Sequence, residues 1–390
     1  MSRRDFDRFL EPDHLTALRA LPTILAAVLA VVTVIGMVLL RPTGEQRPDL
    51  GEIGIVADVF EAEAVAVEQA TCVPDIPCQR TDFRLRAGPD EGEVVTLEFP
   101  IGETSPSFEV GDRVVLDHQP AAEEPFRYTY ADRQRRGVLL WVALLFAGAV
   151  IALGRMRGLA ALIGLAASVL VLLQFVIPAI LDGRSPILVA TFGAAAIAYV
   201  ALYAAHGFNR MTTVALLGTL AALVLTVVLS EIVIGAASLT GFSTDEAFIL
   251  TIVGTIDLSG LILAGVVLGS MGAIDDVTVT QASAVWEVKR ANPRISRVDL
   301  IQSGLRVGRD HVASTVNTLL LAYAGASMPL LLFFVLSNQS LGTVLNSEVV
   351  ATEVLRTLVG SIGLVASVPL TTWLAAVMAH DIDEVPGHAH

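Results

Sequence analysis

Eight long apolar runs, interrupted by one hydrophilic stretch near the N-terminus, constrain this chain more than any other feature. A run of about 20 apolar residues is what crosses a bilayer core as a helix. The runs are approximately Ala20–Leu40, Val138–Leu153, Gly158–Leu181, Pro186–Ala205, Met211–Ala236, Ala247–Met271, His311–Ser337 and Glu353–Ala379. Only 16% of residues are charged, against roughly 25% in soluble domains. The pattern predicts a polytopic α-helical membrane protein of about eight spans. The first run is long for a signal-peptide core, and no small-residue cleavage site follows it before Arg41-Pro42. It is read as a retained anchor.

Basic residues in short loops orient the spans. Arg3, Arg4, Arg8, Arg19, Arg155, Arg157, Arg210, Lys289, Arg290, Arg294, Arg297, Arg306 and Arg309 all fall on one side of an eight-span arrangement. That side is expected to be cytoplasmic. Arg133, Arg135 and Arg136 violate the rule locally, at the end of a large domain where it weakens. The predicted division is a cytoplasmic segment (1–19), an anchor (20–40), an extracytoplasmic domain (41–136), a seven-helix membrane domain (137–379) and a cytoplasmic tail (380–390). A cytoplasmic amphipathic segment at 273–310 interrupts the membrane domain.

The hydrophilic domain carries about half of the acidic residues of a chain whose net charge is −14. That balance offers no basic face to nucleic acid. Apolar/polar alternation in Glu52–Val67, Phe83–Arg86, Val94–Phe99, Arg113–His118 and Phe126–Tyr130 predicts short strands and a small barrel of the OB type. The only two cysteines, Cys72 and Cys78, lie here. An outward location favours a disulfide over two free thiols. No histidine lies close enough in sequence to complete a metal-ligand set.

Ionisable residues within membrane runs mark functional positions. Asp257 lies near the middle of the run Ala247–Met271, and Asp275 and Asp276 follow the run directly. Asp257 and Asp275 are eighteen residues apart, five helical turns or about 27 Å. On an unbroken helix they share a face. Glu231, late in the fifth run, would extend an acidic ladder toward the outer side. In the seventh run Asp310, Ser314 and Asn317 share a face at i, i+4 and i+7. Oxygen ligands of this kind suit a hard cation; they serve equally as interhelical hydrogen-bond partners. Val277–Val288 and Ser296–Arg309 read as two short interfacial helices divided at Asn292-Pro293, the second suited to anionic lipid. The acidic, histidine-bearing tail after His380 reads as disordered. No Walker A, Gly-x-Ser-x-Gly or His-Glu-x-x-His motif is present, so no catalytic residue is assigned.

Gly269-Ser270-Met271-Gly272-Ala273-Ile274-Asp275-Asp276-Val277-Thr278-Val279-Thr280-Gln281-Ala282-Ser283 resembles the signature of the YibE/F-like family of bacterial multipass membrane proteins. So do Ser303-Gly304-Leu305-Arg306-Val307-Gly308-Arg309-Asp310 and Val316-Asn317-Thr318-Leu319-Leu320-Leu321-Ala322-Tyr323-Ala324-Gly325. The resemblance implies a bacterial cytoplasmic membrane protein and favours Asp276 over Asp275, because the family pattern places one aspartate before the valine. It supplies no activity. The expected function is transport of a small ion or solute through Asp257, Asp275, Asp276, Asp310, Asn317 and Glu231. The alternative is a non-transporting envelope scaffold or sensor whose outer domain binds a protein or cell-wall partner. No cofactor is expected beyond a bound cation. Lipids, a small solute and a second copy of the chain are the other partners considered.

Overall fold

The computed structural model describes residues 12–44, 58–72, 76–103, 105–120, 122–123, 126–253, 256–337 and 339–380. Arg3, Arg4, Arg8, Pro74, the start of the strand expected from Glu52 and the tail from Asp381 lie outside the described residues. The chain forms two compact units. One is Pro48–Ala149; the other joins Met1–Arg47 to Val150–His390.

The first unit is a β half-barrel of five antiparallel strands: β1 (Asp58–Cys72), β2 (Ile76–Leu85), β3 (Val94–Pro100), β4 (Arg113–His118) and β5 (Tyr128–Arg133), in the order β3-β2-β1-β4-β5. Strand β1 is the longest and pairs on both edges, with β2 along its whole second half and with β4 along its first. Alternation buries one face: Ala62 and Ala64 on β1, Phe83 and Leu85 on β2, and Val114 and Leu116 on β4. Phe83, Phe99, Phe108 and Tyr130 meet there edge-on or tilted, with centroids 4.8–6.3 Å apart, a geometry that adds to simple burial. The Tyr128 hydroxyl donates to Asp90 at 2.7 Å. Cys72 and Cys78 flank the β1–β2 turn with their sulfurs 1.99 Å apart.

The second unit is helical. Its elements are α1 (Pro12–Leu39), α2 (Arg136–Val171, which begins in the other unit), a π-turn (Leu172–Val176), α3 (Ile177–Leu181), α4 (Pro186–His206), α5 (Arg210–Ala237), α6 (Asp245–Val253), α7 (Leu258–Ala291), α8 (Arg297–Ala326), α9 (Met328–Leu336), α10 (Leu341–Asn346) and α11 (Glu348–His380). Among the described residues six helices are long and apolar enough to cross a membrane, or seven if the bent pair α8–α9 is one span. The count differs from eight in part because Arg136–Leu181 passes as a single long stretch. Within it Arg155 has non-helical backbone angles (φ 51, ψ −128). Gly158 closes that break; a Cβ there would strike the Val150 carbonyl. The π-turn contains Gln174 and ends two residues before Pro178, which cannot donate to the helical ladder.

Three further expectations are corrected. The run Ala247–Met271 is not one helix: α6 ends at Val253 and α7 starts after Asp257. The Asp257 carboxylate accepts from the Gly260 backbone N–H at 3.0 Å, satisfying one of the orphan donors of a new helix. Asp257 is therefore an exposed cap at the head of α7, not a carboxylate at mid-span. Second, the polar run after Met271 does not break the helix. Helix α7 continues to Ala291, 34 residues, or about 50 Å at the usual rise, well beyond a hydrocarbon core of about 30 Å. Third, the segment expected to lie as a separate amphipathic helix is the first half of α8, which runs on to Ala326. Ser296 caps it by accepting from Asp299 N–H at 3.1 Å. Pro329 follows, and α9 leaves at 62°.

Helix α7 is the centre of the unit and packs on α4, α5, α8 and α11. Small residues allow the close approaches. Ala190, Ala194 and Ala198 form a fully buried stripe on α4. Gly218 of α5 abuts Thr371 of α11, and Gly363 and Gly360 of α11 abut Thr226 of α5 and Ser270 of α7. Glu348 at the head of α11 accepts from the Thr240 and Gly241 N–H groups, each at 2.6 Å, tying the α5–α6 loop to α11.

Candidate functional site

Adjacent residues on a helix point about 100° apart, and Asp275 and Asp276 accordingly meet different surroundings. Asp275 continues the α7 stripe of Ala264, Leu268, Met271 and Val279, which packs in the apolar cluster formed with α4 and α5. One carboxylate oxygen, Asp275 Oδ1, is fully buried and has no hydrogen-bond partner. Asp276 faces the α8 side and is open, with 68% of its side chain exposed. Its Oδ2 stands 3.9 Å from His311 Nε2, and Thr280 Oγ1 lies 3.4 Å from the same nitrogen.

Buried polar contacts continue down α7 from Asp275. Thr278 Oγ1 lies 2.6 Å from Thr219 Oγ1 of α5. Gln281 donates through Nε2 to the Gly304 carbonyl of α8 at 2.8 Å and to Thr372 Oγ1 of α11 at 2.7 Å. Gly304 and Gly308 make room for it: a Cβ on Gly308 would lie 2.8 Å from Gln281 Oε1. On the opposite side of α7, Gly265 and Gly269 receive the Arg356 guanidinium of α11 and the Tyr323 hydroxyl of α8. Arg356 donates through Nη1 to Glu353 at 2.6 Å, and its Nε is buried without a partner.

The sequence-predicted positions do not converge on one cavity. Asp257 sits at the head of α7, about 27 Å of helix from Asp275. Glu231 is exposed on α5. Asp310, Ser314 and Asn317 do share a face of α8, but all three are exposed, while the face holding Gly304 and Gly308 is the buried one. Sequence reading passed over Thr219 and Arg356, and it quoted Thr278, Gln281 and Tyr323 within the family motifs without giving them a role. Arg356 had a visible signal, a charge inside the last apolar run. Among the described residues the one group of three metal-type side chains within 4.8 Å of one another is Cys72, Cys78 and Glu98.

Long apolar helices packed through small residues, with polar groups held between them, define a membrane-embedded polytopic helical protein. The family model of the YibE/F-like proteins matches residues 142–381, and the chain belongs to that family. No curated protein and no solved structure matches it.

Proposed function

We propose that this chain carries a small cation or solute across the bacterial cytoplasmic membrane, and that Asp275 is the group that holds it. The observation that carries the reading is the buried, unpartnered Asp275 Oδ1. Leaving a carboxylate oxygen buried without a partner costs free energy; a proton, a water or a cation removes that cost, and the cation is the partner proposed here. The Asp276–His311–Thr280 group one residue further on gives such a cation a hydrated approach from the α8 side.

The rest of the arrangement follows from the sequence and two backbone breaks. Dividing Arg136–Leu181 at Arg155 and counting the bent α8–α9 pair as one span supports eight spans. The short arginine-bearing loops then put both termini inside and the β unit outside. The strand order β3-β2-β1-β4-β5 supports an OB-type barrel left open between β3 and β5. An outward position suits a Cys72–Cys78 disulfide.

The test is flux in proteoliposomes, with protons followed by a pH-sensitive dye and a panel of monovalent and divalent cations followed by isotope. Wild-type protein is expected to move at least one of them. Asp275→Asn is expected to abolish that movement while inserting normally. Asp310→Asn and Asn317→Ala, on the outer face of α8, are expected to retain it. Normal flux through Asp275→Asn, or none through wild type, overturns the proposal.

A further inference from the structure

Helix α8 packs on α7 and α11, and its side away from them is polar. Gly304 and Gly308 face the bundle, against Gln281, Val285, Val368 and Thr372. Nine residues are two and a half helical turns, so Ala313 and Asn317 lie half a turn round from those two glycines. Arg306 and Asp310 continue the same stripe, and the spacing 306–310–313–317 is the four-three-four repeat of a coiled-coil seam. All four residues are exposed. The Asp310 carboxylate and the Asn317 amide have no hydrogen-bond or ion partner among the described residues. Arg306 donates to Ser303 on its own helix at 2.8 Å.

Asn317 lies about 10 Å further along α8 than Asp310 and stands just before Leu319-Leu320-Leu321, inside the apolar part of the bent α8–α9 span. Lipid tails offer such an amide nothing to bond, and polar side chains of membrane helices turn inward or pair across an interface. We infer that this stripe is the contact between two copies of the chain, α8 against α8. Copies in one membrane share one topology, so the two helices meet in parallel and a two-fold axis places each residue near its own equivalent. The groups suit that pairing. An amide both donates and accepts, so the two Asn317 side chains can close two hydrogen bonds with each other. A single asparagine at a seam position specifies register and oligomer state. Arg306 and Asp310 offer each copy a charge opposite to one on the other, and Ala313 lets the backbones approach. The inference stands whether or not Asp275 carries an ion, since each copy has its own Asp275 on α7.

The experiment is energy transfer between donor- and acceptor-labelled full-length protein co-reconstituted in vesicles, followed as added lipid dilutes the protein. Wild type is expected to lose transfer along a monomer–dimer curve. Asn317→Ala is expected to raise the dissociation constant at least about seven-fold, the worth of two interhelical hydrogen bonds in a membrane. Asn317→Gln, which keeps the amide, is expected to raise it less. Oxidation in the same vesicles is expected to cross-link Ala313→Cys between copies above the wild-type background. Ala322→Cys, exposed on the opposite side of α8, is expected to stay at that background. A wild type that is monomeric at the highest protein density overturns the inference, the stripe then being met by water or lipid headgroups. So does an Asn317→Ala dimer as tight as wild type, or cross-linking of Ala322→Cys in place of Ala313→Cys. The cysteine arm decides alone if Asn317→Ala does not insert.

Discussion

Gln281 is the side chain whose removal is most informative about how the helical unit is held together. It is 3% exposed and joins three helices through bonds of 2.8 Å to the Gly304 carbonyl and 2.7 Å to Thr372 Oγ1. Substitution by leucine keeps most of the volume and removes both bonds. A neutral hydrogen bond contributes about 0.5–1.5 kcal/mol net, and interhelical bonds within membranes average about 0.6 kcal/mol. Two bonds therefore bracket the loss between about 1.2 and 3 kcal/mol. The partners soften it. Thr372 Oγ1 also donates to the Val368 carbonyl at 2.6 Å, so it is not orphaned. The expected value lies in the lower half of the range. The assay is unfolding in mixed micelles titrated with a denaturing detergent, on wild type, Gln281→Leu, Thr372→Val and the double variant. Thr372→Val cuts one of the two bonds, so the cycle should return a coupling of about 0.6 kcal/mol. A Gln281→Leu variant as stable as wild type, or a coupling of zero, would refute the view that Gln281 clamps α7 to α8 and α11.

Four other outcomes are expected. Asp257→Ala should destabilise α7 by about 1 kcal/mol through loss of its cap while Asp257→Asn should not, since asparagine caps as well as aspartate; equal losses in detergent unfolding would contradict the capping role. Gly218→Leu should prevent stable assembly, because the new side chain occupies the place of Thr371; a monodisperse variant with wild-type thermal stability would contradict that packing. In the β unit, burial and the Asp90 hydrogen bond raise the Tyr128 pKa to about 12, above its unfolded value of about 10. The stabilisation this represents is complete below pH 10 and is lost as pH rises through 12. Tyr128→Phe should lack that part of the alkaline loss, and melting curves between pH 9 and 12 for the two proteins should converge; parallel curves would contradict it. Asp275→Asn should abolish flux, as argued above.

The sequence made the apolar runs and the strands legible because both depend on local pattern. Strand alternation in β4 is the clearest case, with Val114, Leu116 and His118 buried in turn. What it hid is which way each membrane helix faces. In a soluble protein an apolar stripe marks the buried side; in a membrane both lipid and core are apolar, and that contrast is lost. Asp310, Ser314 and Asn317 were rightly placed on one face, yet nothing local says that this face is the exposed one. The remaining signal is small-residue spacing. Gly304 and Gly308, four apart on α8, mark its buried side by allowing Gln281 to approach. The break before α7 was hidden differently. Val253 to Leu258 is apolar enough to read through as helix, and the Asp257–Gly260 cap is a three-residue cue inside a long run.

The family motif and the geometry weigh the acidic pair differently, and the difference is measurable. The motif favours Asp276, but an open carboxylate 3.9 Å from a histidine is a surface pair, worth at most about 1 kcal/mol. Asp275 is the residue with a buried oxygen and no partner. If a cation supplies that partner, it binds the folded state and stabilises it, by about 2.7 kcal/mol at one hundred times its dissociation constant. The transported cation should then raise the melting temperature of wild type and of Asp276→Asn alike and leave that of Asp275→Asn unchanged. Should the cation stabilise Asp275→Asn as much as wild type, its site lies elsewhere, and the unpaired oxygen on α7 must be met by a proton or by water instead.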